Sequence, residues 1–249
     1  MKKTILKSAL LAISGIVFAA GSAFALPLGT SLQDELDVRT SGGTSSINVT
    51  TDMIADSLDT SWTHTASNIA SATLFLEIAA FKAGNSFGVY DLTDSTNLLE
   101  LFSGSDEAGD FSSFATLATI GSGQYSNLAG GTATFGSGDS FGWYLNVAAQ
   151  DKIYFSDTGL NADGYDHMFA YQGVGEGFSI FNTGVYKTWT PNEYVLAWED
   201  YYGGFDEDFN DFVVMVESVE PNPIPEPATM LLFGTGLAGL AGLARRKRN

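Results

Sequence analysis

The densest run of ligand-capable residues is Trp198-Glu199-Asp200-Tyr201-Tyr202-Gly203-Gly204-Phe205-Asp206-Glu207-Asp208-Phe209-Asn210-Asp211. Its donors are carboxylate and amide oxygens, the set that suits a hard cation, above all Ca²⁺ with six to eight oxygens at about 2.3–2.6 Å. Asp206, Asp208 and Asn210 alternate at i, i+2 and i+4. Gly203-Gly204 allows the sharp turn that would let Glu199, Asp200, Asp206, Asp208, Asn210 and Asp211 converge. Asp206, Asp208, Asn210 and Glu217 also fall on positions 1, 3, 5 and 12 of an EF-hand loop, but Asp211 stands where that loop requires glycine. Phe212 to Val216 reads as a strand, which would carry Glu217 about 20 Å from Asp211. The EF-hand is rejected and a loop site retained.

A second cluster, Asn161, Asp163, Asp166 and His167, adds Asp163 and Asp166 as candidate ligands. The same residues with Gly164 also suit an ordinary turn, so both readings stand. His167 is expected to hydrogen-bond within the core or behind the ligands, because calcium disfavours imidazole.

These acids sit in a strongly acidic chain. Of 249 residues, 29 are Asp or Glu, 11 Lys or Arg and none Cys, and the formal charge is −18. All but one of the acids lie between Leu26 and Glu220, a stretch whose basic residues are Arg39, Lys82, Lys152 and Lys187 alone. Such a surface repels itself and calls for counter-cations. It also excludes nucleic acid as a partner, since no basic stripe exists to meet phosphates. Without cysteine there is no thiol redox chemistry and no zinc–thiolate site. The apolar fraction of 45% is enough for a core.

The elements expected to carry the acids are short strands, because period-two alternation and Gly/Asn/Asp punctuation recur without sustained helical periodicity. The alternating sets are Leu74 to Ile78, Phe87 with Val89, Leu98 to Phe102, Trp143 to Val147, Lys152 to Phe155 and His167 to Tyr171. The two clearest, Tyr194 to Trp198 and Phe212 to Val216, flank the acidic run. An all-β antiparallel β-sandwich or jelly roll over residues 26–220 follows. Residues 30–60 form a polar lead-in without a clear pattern, and Gly121 to Gly138 a long loop or edge hairpin.

Both ends read as addresses. Lys2, Lys3 and Lys7, an apolar stretch from Ala9 to Ala20 and Ala23-Phe24-Ala25 make residues 1–25 a signal peptide. Residues 221–249 comprise a Pro221-Asn222-Pro223-Ile224 spacer, Pro225-Glu226-Pro227, an apolar transmembrane segment over 228–244 and Arg245-Arg246-Lys247-Arg248. As a helix that segment would be about 26 Å long, just enough to span.

Pro225-Glu226-Pro227-Ala228-Thr229 with the Gly/Leu/Ala span and arginine-rich end resembles the PEP-CTERM sorting signal. The resemblance implies export in a Gram-negative bacterium and recognition by an exosortase, a membrane cysteine protease that acts near Pro-Glu-Pro. The body resembles an exported domain family of unknown function, frequent among PEP-CTERM proteins. Its members share an Asp-His strand and a Trp-Glu-Asp, Gly-Gly, Asp-x-Asp-Phe-Asn-Asp ending. Here these are Asp166-His167-Met168-Phe169-Ala170 and Trp198-Glu199-Asp200 through Asp211-Phe212-Val213-Val214. The resemblance implies a β-sandwich module in which Glu199, Asp200, Asp206, Asp208 and Asp211 are the matching acids. It implies no activity.

The expected function is that of a non-enzymatic, calcium-stabilised protein of the cell surface or extracellular matrix, in contact with exopolysaccharide or other envelope components. The alternative is a carbohydrate-binding module stacking sugars on Tyr201, Tyr202, Trp143 and Trp189, although aromatics of a small sandwich also serve as core. A glycoside hydrolase would need an acid pair such as Glu199 with Asp211. No Gly-x-Ser-x-Gly elbow with a plausible triad occurs in the body, and His64 lies in a Thr-rich stretch without an evident partner.

Overall fold

A computed structural model describes residues 31–65, 68–76, 84–104, 106, 113–203 and 208–222. The signal peptide, Asp206 and the sorting tail beyond Asn222 lie outside the described residues. Among those described, no helix is long and apolar enough to cross a membrane.

The structure is mostly β, in antiparallel sheets. The strands are β1 Trp62–His64, β2 Ile69–Leu76, β3 Asn85–Asp91, β4 Asp94–Phe102, β5 Phe114–Gly121, β6 Gln124–Ser126, β7 Thr132–Thr134, β8 Ser140–Val147, β9 Lys152–Phe155, β10 Met168–Gln172, β11 Gly177–Phe178, β12 Lys187–Thr188, β13 Glu193–Trp198, β14 Phe212–Glu217 and β15 Val219–Pro221. One sheet runs β15-β1-β8-β3-β4, with β9 also on β8, and the other β10-β13-β14-β2-β5-β6-β7. They share an apolar core to which the first contributes Trp62, Phe87, Trp143 and Leu145, and the second Leu74, Leu196, Trp198 and Val214. Phe87 of the first sheet meets Trp198 and Phe212 of the second at ring-centroid distances of 6.0 and 5.6 Å. This is the expected sandwich.

The seven-stranded sheet is buried on both faces near β13 and β14. Leu196 and Val214 point into the shared core, while Val195, Ala197 and Val213 form a second cluster with Leu32, Leu36, Phe75 and Phe169. Leu32 and Leu36 belong to a helix, α1 (Ser31–Arg39). Two-sided burial explains why Val213 to Val216 is continuously apolar rather than alternating. The lead-in at 30–60 therefore has a structure, α1 followed by the single turn α2 (Asp56–Asp59), and it closes the outer face. The stretch from 121 to 138 is an edge hairpin, β6–β7, added to β5.

His64 does have partners. Its Nε2 is 3.1 Å from the Leu117 carbonyl, and its Nδ1 is 3.0 Å from the Thr119 hydroxyl. A carbonyl only accepts, so Nε2 carries the proton and Nδ1 accepts. Burial holds the His64 pKa below its ordinary value. The spacer is corrected in part as well. Pro221 ends β15, opposite Trp62, and Asn222 donates its N–H to the Ser61 carbonyl.

Candidate metal centre

β13 and β14 pair in register from Glu193↔Glu217 to Trp198↔Phe212, so the acidic run leaves and re-enters the sheet at one end. Glu217 ends up at the opposite end of β14, facing Glu193, as the rejection of the EF-hand requires. Two conformational features shape the return. Gly203 turns at φ +81°, and Phe209 adopts φ +51°, a left-handed value that a bulky residue keeps only when its surroundings hold it there. Phe209 is fully buried, with its ring centroid 4.1 Å from that of Phe169. That anchor fixes Asp208 on one side of it and Asn210 on the other.

Glu199, Asp208 and Asp211 converge: each offers one carboxylate oxygen, and these lie within 4.8 Å of one another. That is the span across a single ion with oxygens at about 2.4 Å, the calcium distance. Hydrogen bonds hold the carboxylates from behind. The Tyr201 N–H donates to Glu199 Oε1 at 3.0 Å, and the Asp200 N–H to Asp211 Oδ2 at 3.0 Å. Asn210 donates through its side-chain amide to Asp208 Oδ2 at 3.0 Å, so it braces a ligand.

Asp200 points elsewhere. Its Oδ2 accepts from Asn85 Nδ2 at 3.0 Å, at the start of β3, and its carbonyl accepts from Gln150 Nε2 at 2.8 Å. The Asp200 side chain thereby ties the loop to the six-stranded sheet. Gln150 Oε1 in turn accepts the Tyr202 N–H at 3.2 Å. Asn85 and Gln150 are at least fifty positions from each other and from Asp200, and no local pattern marks them.

The turn at 161–167 buttresses the loop. Asp163 Oδ2 receives the Gly203 N–H at 2.9 Å and lies 3.0 Å from His167 Nε2, while His167 Nδ1 is 2.9 Å from the Glu199 carbonyl. His167 is wholly buried and stacks on Tyr154 at 3.6 Å. Burial lowers its pKa, partly offset by the Glu199 carbonyl and Asp163. Asn161 serves the turn, donating to the carbonyls of Phe155 and Tyr165. Asp166 is turned away, accepting the Met168 N–H at 3.2 Å. Burial, then the charge of Asp56, pushes its pKa up to about 8.

Two of the aromatics expected on the surface are core. Trp143 and Trp189 are each 1% exposed, whereas Tyr201 and Tyr202 are 41% and 46% exposed. The Lys152 ammonium sits 4.9 Å above the Tyr202 ring.

A family model described as "Domain of unknown function (DUF4114)" matches residues 81–219, and one described as "PEP-CTERM protein-sorting motif" matches residues 223–248. Neither a curated protein nor a solved structure matches the chain.

Proposed function

Because the chain belongs to the family of the Domain of unknown function (DUF4114) and carries a PEP-CTERM protein-sorting motif, which marks an exported protein of a Gram-negative bacterium handled by an exosortase, we propose that it is a non-enzymatic, calcium-stabilised module of the cell surface or extracellular matrix. The observation that carries this reading is the convergence of Glu199, Asp208 and Asp211 to within 4.8 Å on a braced β13–β14 connection. Like charges so close repel, and a divalent ion among them turns that repulsion into attraction. Its binding free energy then becomes folding free energy. Glu199, Asp208 and Asp211 would supply oxygens to the ion, with water completing the shell. Asp206, which the sequence places in the same loop, is a further candidate.

Calcium titration into the purified, chelator-treated chain, followed by calorimetry, tests this directly. Saturable binding is expected, with one ion fewer taken up by Asp211→Asn than by the unmodified chain. Absence of any binding heat would overturn the reading.

A second reading, carbohydrate binding, draws on the exposed Tyr201 and Tyr202 rings beside the ion site. Aromatic faces next to a metal-organised loop suit sugar rings. Exopolysaccharide or another envelope glycan would then be the partner. Binding to isolated exopolysaccharide that is lost in a Tyr201→Ala/Tyr202→Ala double variant, with the melting temperature unchanged, would favour it.

A further inference from the structure

Asp59, the last residue of α2, is 1% exposed, yet neither of its carboxylate oxygens has a hydrogen-bond partner in any neighbouring group. A buried carboxylate in that condition is costly, since it has lost water and gained no donor from any other residue. The groups that bear on it are two more carboxylates, Asp166 and Asp56, and both raise its pKa further above the usual range after burial itself. Its own backbone N–H is the one favourable contact. The Thr158 hydroxyl stands between the other two acids. It donates to Asp56 Oδ1 at 2.8 Å and lies beside Asp166.

The described basic residues lie elsewhere. Arg39 pairs with Glu35 in α1, Lys152 covers Tyr202 and Lys187 lies in β12. His64 and His167 hold the contacts already given. The buried carboxyl group of Asp59 therefore has no side-chain counter-ion among them.

We infer that the chain holds a second divalent cation, seated on Asp59 and Asp166 with Asp56 and Thr158 at its rim, separate from the Glu199–Asp208–Asp211 centre. The donors are again oxygen only, so the ion is of the calcium class. The three carboxylates are not drawn together to the 4.8 Å that marks the first centre, and the second ion therefore takes part of its shell from water. Its structural effect is specific. Asp56 and Asp59 belong to the lead-in, whereas Thr158 and Asp166 belong to the turns before β10, so the ion pins one to the other.

Trp62 gives the site an optical handle, because its indole Nε1 donates to the Asp59 carbonyl at 2.7 Å. Terbium, a calcium mimic, can be titrated into the chelator-treated full chain while tryptophan-sensitised emission and bound metal are measured together. Two bound ions are expected for the unmodified chain, one for Asp59→Asn and one, at the other place, for Asp211→Asn. Trp62→Phe should dim the emission that Asp59→Asn abolishes and spare the rest. A single ion, lost in Asp211→Asn and kept in Asp59→Asn, would overturn this inference and leave the proposed function standing. A single ion with the opposite pattern would support it and sink the other centre. Should Asp59→Asn not fold, crystals of the unmodified chain soaked in terbium decide the matter. An anomalous peak in contact with the Asp59 carboxylate is expected, and a peak at Glu199–Asp208–Asp211 alone would mean that Asp59 is held by protons instead.

Discussion

Removing calcium should lower the melting temperature by roughly 5–10 °C relative to saturation, and the figure can be worked from the site. At 4.8 Å, two carboxylates repel by about 3.5 kcal/mol at an effective dielectric constant of about 20. With no ion bound, the three carboxylates would repel one another pairwise. Extracellular calcium modules bind with Kd near 10⁻⁴ to 10⁻³ M. At about 10 mM calcium, a Kd of about 10⁻⁴ M stabilises the folded state by about 2.7 kcal/mol. A domain of this size shifts by roughly 2–4 °C per kcal/mol. The assay is a thermal melt of the chain in EDTA and across a calcium series, with sodium chloride matched for ionic strength to separate binding from screening. Asp211→Asn sharpens it, because an asparagine oxygen can still accept the Asp200 N–H while the charge is gone. That variant should melt at or above the unmodified chain in EDTA and respond weakly to calcium. An unmodified chain with superimposable melts in EDTA and in calcium would refute the reasoning, as would an Asp211→Asn variant that responds in full.

Other outcomes follow from the packing. Leu36→Ala empties a fully buried position between α1 and the seven-stranded sheet and should cost about 2–5 kcal/mol by urea denaturation; a loss under about 1 kcal/mol would mean that α1 is not docked. Gly88→Ala would place its Cβ 2.1 Å from the Leu99 carbonyl oxygen across β3–β4, so soluble folded protein should be lost; a normal yield and melt would contradict the register. His64 has a folded-state pKa below its unfolded value near 6.5, so at this site the unfolded chain takes up the proton first and the contribution of His64 to stability falls as pH drops below about 6.5. His64→Gln should flatten the dependence of urea midpoints on pH between about 7.5 and 5.5, and an unchanged slope would count against the buried neutral ring.

The strands were legible where local pattern and tertiary setting agree. Tyr194 to Trp198 and Phe212 to Val216 pair as β13 and β14, and Glu199, Asp208 and Asp211 between them converge because they are neighbours in sequence. α1 was not legible, since its buried stripe amounts to Leu32 and Leu36 one turn apart in an otherwise polar run. Trp143 and Trp189 show the limit of composition: an aromatic residue's type does not say which face of a sheet it takes. Asp163 and Asp166 sit three residues apart, yet one braces the Gly203 turn and the other faces Asp56 and Asp59. Asn85 and Gln150 reach their partners, and Asp59 comes beside Asp166, only through the sandwich topology, so no spacing rule could have marked them.

Asn222, the last of the described residues, is knitted into the six-stranded sheet through Ser61 and the Ser140 hydroxyl, and the sorting motif starts at the very next position. Three extended residues reach about 10 Å, so a protease that cuts beside Pro225 must work within that distance of a folded edge. A protease acting there would have to accommodate the rim formed by β15 and β1. Any tug on the tail is delivered straight to that short strand pair, and through it to β8 in the middle of the sheet.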